Sequence, residues 1–245
     1  MLNTHPTDFN DEAMRVLASC KDEHLWRGRP LKKWVHSVGR EPSVALQSLA
    51  TDYPDRDQIS KFCSNSTHDE IDLFLAICAW GGMKVNHAKF ALAQEAALRD
   101  ALRALRDQAL DRREAYSIFK TARGNGLLPG VGPAYFTKLI FFVRPDLHGY
   151  IMDQWTARSI NILTGQKIVK LGYENNVLDA NADSDYEIFC KILESIALIL
   201  GVCPEVAEMR LFSHGTRRPG VWRNYVKGWP SGNSTGQKTP VAQSQ

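Results

Sequence analysis

The run Leu128-Pro-Gly-Val-Gly132 constrains the fold of this chain more than any other feature. It stands between two stretches of helical character. Upstream, 111–123 opens with Asp111, a residue type that caps helices well. Downstream, Pro133 suits a first helical turn, and 133–143 is apolar apart from Lys138 and a few small or polar positions. The three parts read together as a helix, a tight hairpin and a second helix, spanning 111–143. Gly130 and Gly132 are expected to take backbone angles that side-chain-bearing residues resist. Amides exposed at such a turn, and at the helix start beyond it, can converge on one anion. A Gly-x-Gly turn taken alone would favour an ordinary αα-connection.

The next segment adds chemistry. Tyr150-Ile-Met-Asp-Gln-Trp155 places Asp153 where a helix over 153–163 should begin. Capping amides and the helix dipole favour the ionised carboxylate there. Lys138 lies beside Leu139-Ile-Phe-Phe-Val143. Facing solvent, it would be a solubilising or phosphate-binding charge. Facing inward, it would lose solvation, which lowers the pKa of an amine and makes it a nucleophile.

The rest of the pattern is helical. Leu98, Leu102 and Leu105 line one face of a charged segment from 94 to 108, with a solvated face opposite. The segment 69–80 reads as a buried helix ending at Gly81-Gly82. Ser184 and Glu187 have capping-box spacing ahead of 188–200, with Gly201 as the stop. Pro204 opens a helix to about Phe212, and a short hairpin is expected near 166–173. The chain is thus expected to be all-α, with a frayed start over 1–10, one helical domain over 11–230 and a disordered tail over 231–245.

Composition excludes more than it assigns. The 245 residues carry a net charge of +3, with 44% hydrophobic and 23% charged residues, ordinary for a globular chain. Cys20, Cys63, Cys78, Cys190 and Cys203 form no CxxC pair, so a reduced cytoplasmic protein without an iron–sulfur cluster is expected. No signal peptide and no membrane span are expected. No ligand spacing suggests a metal. Basic residues mix with aromatics in two places. Lys21, Arg27, Arg29, Lys32 and Lys33 surround Trp26 and Trp34. Arg217, Arg218, Arg223 and Lys227 surround Trp222, Tyr225 and Trp229. Such mixing suits contact with a nucleic-acid backbone.

Leu128–Gly132 together with Tyr150–Trp155 resembles the hairpin and catalytic-aspartate segment of the helix–hairpin–helix DNA glycosylase superfamily. The likeness is nearest to bacterial proteins of the 8-oxoguanine DNA glycosylase fold. It is specific over 126–165, with a fainter echo in Ala79-Trp-Gly-Gly-Met83. The resemblance implies two helical lobes with a cleft between them. It implies an enzyme that excises a damaged or modified base, 8-oxoguanine-like, from double-stranded DNA by breaking the N-glycosidic bond. Asp153 and Lys138 would be the catalytic residues, with Lys138 forming a Schiff base and supplying lyase activity. In the eukaryote-type enzymes the nucleophilic lysine lies two residues past the second glycine, which here is Ala134. Lys138 is one turn further along the same helix. Pro129, Gly130, Val131, Gly132, Arg217, Arg218 and Arg223 would hold the DNA backbone. Trp80, Gln154, Trp155 and Trp222 would form a pocket for the flipped base. No cofactor and a monomer are expected. An enzyme acting on hypermodified bases of invading phage DNA is one alternative. A hairpin protein that binds DNA without catalysis is another.

Overall fold

The computed structural model describes residues 8–20, 26–49, 51–106, 109–213 and 219–229. Among them the structure is all-helical. In chain order the α-helices are α1 (Asp11–Ser19), α2 (Leu31–Ser37), α3 (Val44–Gln47), α4 (Arg56–Cys63), α5 (Glu70–Trp80), α6 (Val85–Leu92) and α7 (Glu95–Leu105). They continue with α8 (Arg112–Gly124), α9 (Pro133–Val143), α10 (Gln154–Thr164), α11 (Asp183–Leu200), α12 (Pro204–Phe212) and α13 (Val221–Gly228). No described helix is long and apolar enough to cross a membrane.

Helix α5 is central because its sequence is apolar on every side. Ile71 and the run from Leu73 to Trp80 are all buried, as expected of a helix with no polar face. It packs against α2, α4, α7 and α9. Helix α9 is the second central element, buried from Phe136 to Phe142 with Lys138 included. Asp111 caps α8 through the amides of Arg113 and Glu114, and Glu114 returns the bond to the Asp111 N–H, which closes a capping box. Arg112 ties α8 to α11 through Glu187 and Glu194. The first hairpin helix is therefore fixed from outside the hairpin.

Some expectations need correction. The helix placed at 188–200 starts earlier, at Asp183, and the Ser184–Glu187 box does not form. Instead the Asp185 carboxylate accepts the Ala182 N–H at 2.8 Å, so α11 begins where an acidic side chain reaches its first free amide. The short hairpin expected near 166–173 forms slightly later, over 170–178. Leu171 and Val177 make an antiparallel bridge, flanked by Gly172 N–H to Asn176 O at 2.8 Å and Leu178 N–H to Lys170 O at 3.1 Å. Two asparagine side chains hold its first arm from outside. Asn161 pairs with both backbone groups of Val169. Asn181 does the same for Lys170. Asn10, assigned to the frayed start, caps α1 and donates its N–H to Leu163 O at 2.7 Å. Residues 1–7 and 230–245, which include the tail expected over 231–245, lie outside the described residues. Cys203 is exposed, while Cys20, Cys63, Cys78 and Cys190 are buried.

Candidate active site

The hairpin turn is shaped by one glycine more than by the other. Gly130 has φ +82, and a Cβ there would stand 2.4 Å from His87 O. The turn thus presses directly on α6, and only glycine fits that approach. Gly132 has φ −78 and ψ 178, extended backbone open to any residue. Its expected conformational role is not used. Leu128 and Val131 are fully buried and pin the turn to the core, while Pro129 is half-buried. Helix α9 starts at Pro133 without a side-chain cap. Arg123 steadies the turn, donating to Leu128 O at 3.3 Å and pairing with Asp179 at 2.6 Å.

A cavity of about 770 Å³ opens beside this turn. Gly130, Gly132, Lys138, Asp153, Trp80, Gln154, Trp155 and Arg223 all line it. Asp153 is 8% exposed and caps α10. Its Oδ1 accepts the N–H groups of Trp155 at 2.8 Å and Thr156 at 3.1 Å. Oδ2 accepts no bond from the described residues. The segment leading to Asp153 is tied to α9 by Thr137. Its Oγ1 donates to Pro133 O at 2.8 Å and accepts the Met152 N–H at 3.1 Å. The hairpin helix thereby fixes the position of the carboxylate.

Lys138 reaches the same cavity. It is 7% exposed, and Nζ donates to Ala134 O at 2.7 Å. Burial pushes its pKa below the usual lysine range. The negative charges of Asp153 and Glu208 oppose that shift, and Arg56 adds to it. Gly81, at the end of α5, explains part of the Ala79–Met83 echo. A Cβ at Gly81 would meet Lys138 Cδ at 2.8 Å, so the missing side chain is the passage for the lysine stem. Gly82, at φ +71, lies under the Trp26 ring.

The aromatic walls divide into two kinds. Trp80 and Trp155 border the cavity, and the Trp80 backbone oxygen accepts the Trp26 indole N–H at 2.7 Å. Trp222 does not join them. It is fully buried in the core, and its Nε1 donates to Ser159 Oγ at 2.8 Å. Its face is spent on packing against Tyr225. Arg223 is 7% exposed, so it is not a surface phosphate contact. Its guanidinium lies over the rings of Phe212 and Trp155, at 4.3 and 4.4 Å, and donates to Phe212 O. Burial lowers its pKa to about 10, against the opposing charge of Asp153. Arg217 and Arg218 lie outside the described residues, as does Lys21. Of the first basic–aromatic group, Trp34 is core, donating Nε1 to Met83 O at 3.0 Å.

The structure adds residues that local pattern did not single out. Arg56 and Glu208 form a buried ion pair on the cavity wall. Glu208 lies on α12, and its partner on α4 is 152 residues away in sequence, so neither marks the other locally. Tyr135 also lines the cavity, with Lys138 Nζ 5.7 Å from its ring centre. A buried carboxylate, a buried amine of lowered basicity and aromatic surfaces thus share one opening. That set can bind a flat group, stabilise positive charge and offer a nucleophile.

A family model described as "Putative 8-oxoguanine DNA glycosylase OGG-like protein" matches residues 21–212. That span is most of the chain and contains the hairpin, Lys138, Asp153 and Glu208. No curated protein and no solved structure gives a significant match.

Proposed function

The chain belongs to the 8-oxoguanine DNA glycosylase OGG-like family, and from that membership and the cavity beside the hairpin we propose that it excises an oxidised guanine from duplex DNA and then cleaves the strand. The observation that carries this reading is the meeting of Asp153 and Lys138 in one cavity, although they arise on different helices. The hairpin amides hold a backbone phosphate on the same strand. The target nucleotide turns out of the helix, and its base enters between the aromatic walls.

In the reaction, the free amine of Lys138 attacks C1′. A bond forms from Nζ to C1′, and the C1′–N bond breaks with its electron pair leaving on the base. The departing base takes up a proton. The C1′–O4′ bond then breaks, O4′ takes the proton from Nζ, and a Schiff base forms. Loss of a proton from C2′ makes a C2′–C3′ double bond and expels the 3′-phosphate with the C3′–O electron pair, which cleaves the strand. The sugar carries positive charge as the glycosidic bond lengthens. The Asp153 carboxylate, fixed through Oδ1 while Oδ2 accepts no bond from the described residues, stabilises that charge. Low basicity at Lys138 serves the step, because only the neutral amine is nucleophilic.

The test is a panel of duplexes carrying 8-oxoguanine, uracil, an alkylated purine or a bulky modified cytosine. Base release is scored with the wild-type chain and with Asp153→Asn. Release from 8-oxoguanine is expected, and Asp153→Asn should lose about 10²-fold or more of it, the scale of one lost electrostatic contact to a transition state. Release only from the bulky cytosine would move the substrate to hypermodified DNA. Equal release by Asp153→Asn would remove that residue from the chemistry.

A further inference from the structure

The cavity wall carries one charged pair that this chemistry leaves without a task. Arg56 Nη2 lies 2.5 Å from Glu208 Oε2, and Nη1 lies 3.5 Å from Oε1. Their side chains are 12% and 3% exposed. The guanidinium covers the Phe141 ring at 4.1 Å. Phe141 meets Phe142 edge-on, and Phe142 meets Trp80 the same way. The pair and Trp80, which both line the cavity, are therefore linked behind it by two buried rings.

A buried ion pair is a poor device for stability, since desolvation consumes most of the attraction. At the wall of a binding cavity it has another use. Such cavities are mainly apolar and orient their ligands with a few placed polar groups. The pair has capacity to spare. Each carboxylate oxygen accepts more than one bond, and among the described residues Oε1 has only the long contact. Both residues line the cavity, so the pair faces the space a ligand would enter. Burial also raises the Glu208 pKa, while Arg56 pulls it back down, the behaviour of a carboxylate not fully compensated within the protein.

We propose that Arg56 and Glu208 read the Watson–Crick edge of the extruded base and select a guanine-type edge; this rests on the glycosylase reading above. Guanine sets N1–H and N2–H side by side, next to the O6 carbonyl. A carboxylate accepts two adjacent N–H groups, and a guanidinium donates to a carbonyl oxygen. Adenine and cytosine offer one amino group beside a ring nitrogen acceptor. Uracil and thymine flank a single N–H with carbonyls that face the carboxylate lone pairs unfavourably. A site built to pair with polar groups rejects an analogue lacking them, because its own groups are left bare. The oxidised position of 8-oxoguanine lies on the far side of the purine, so this pair recognises the guanine skeleton and not the lesion.

The experiment compares duplexes carrying 8-oxoguanine with duplexes carrying 8-oxohypoxanthine, which lacks only the 2-amino group. Single-turnover base release is measured on the ordinary sugar, and binding on a 2′-fluoroarabino sugar that resists cleavage. Each is expressed as a ratio of the two bases within one preparation, which cancels any loss of folded protein. The wild-type ratio should be about tenfold or more. Glu208→Gln should bring it to within about twofold of one. The doubly neutral Arg56→Gln/Glu208→Gln variant, which leaves no unpaired buried charge, should do the same. A wild-type ratio near one, or a ratio that Glu208→Gln leaves unchanged, would overturn the proposal. A preserved binding ratio without any base release would sink the catalytic reading alone. Base release with a binding ratio near one would sink the edge-reading alone.

Discussion

At the scale of single residues, the distinguishing feature is a lysine that the fold deprives of water while keeping carboxylates near it. Lys138 ordinarily would hold its proton to about pH 10.4. Burial lowers that value, and Asp153 and Glu208 restore part of it. Below the lowered pKa the amine is protonated and inert; above it the amine is free. Schiff-base formation should therefore rise with pH through a midpoint beneath the ordinary lysine range, and fall away on the acid side. Borohydride trapping measured across pH checks this. A midpoint at the ordinary lysine value would mean that the side chain is solvated during reaction. Asp153 was legible from sequence because capping is local. The aspartate, the helix after it and the amides it serves lie within a few residues. Its distinction from any other N-cap was not local, and came only from the hairpin upstream. Thr137, which secures the segment before Asp153, left no such sign. Its hydroxyl is one of many in helices, and only the fold brings Met152 N to it.

At the scale of elements, two glycines separate structure from chemistry. Gly130 has φ +82 and faces the α6 backbone. Gly130→Ala should cost at least about 1 kcal/mol from the left-handed backbone alone, and more from the contact with His87 O. Chemical denaturation would register it, and an unchanged midpoint would mean that the turn is not pressed on α6. Gly81 has an ordinary helical φ of −69, and the atom in the way is the stem of Lys138. Gly81→Ala should leave thermal stability near wild type while cutting borohydride trapping about tenfold or more, because a shift on the order of an ångström at a reacting group is that costly. Equal losses of stability and trapping would contradict this. Helix α9 was readable to its ends, since Pro133 opens it and an unbroken apolar run sustains it. The hairpin expected near 166–173 lies a few residues later, over 170–178, because weak alternation does not fix register. Asn161 and Asn181 anchor its first arm, which no local pattern announces.

At the scale of the whole molecule, the all-helical architecture follows from periodicity, and the site follows from convergence that periodicity does not encode. Arg56 on α4 and Glu208 on α12 meet across the fold, and each alone reads as a solvated charge. Trp222 and Trp155 look alike in sequence, yet one is core and the other borders the cavity, because helix faces are assigned by neighbours far along the chain. In the proposed reaction α9 and the start of α10 meet so that one amine and one carboxylate act on the same sugar. The most direct measurement is peptide mapping of the borohydride-trapped adduct formed on an 8-oxoguanine duplex. A single adduct on Lys138, absent from Lys138→Arg, is the expected result. Base release with no adduct, or an adduct on another residue, would contradict it.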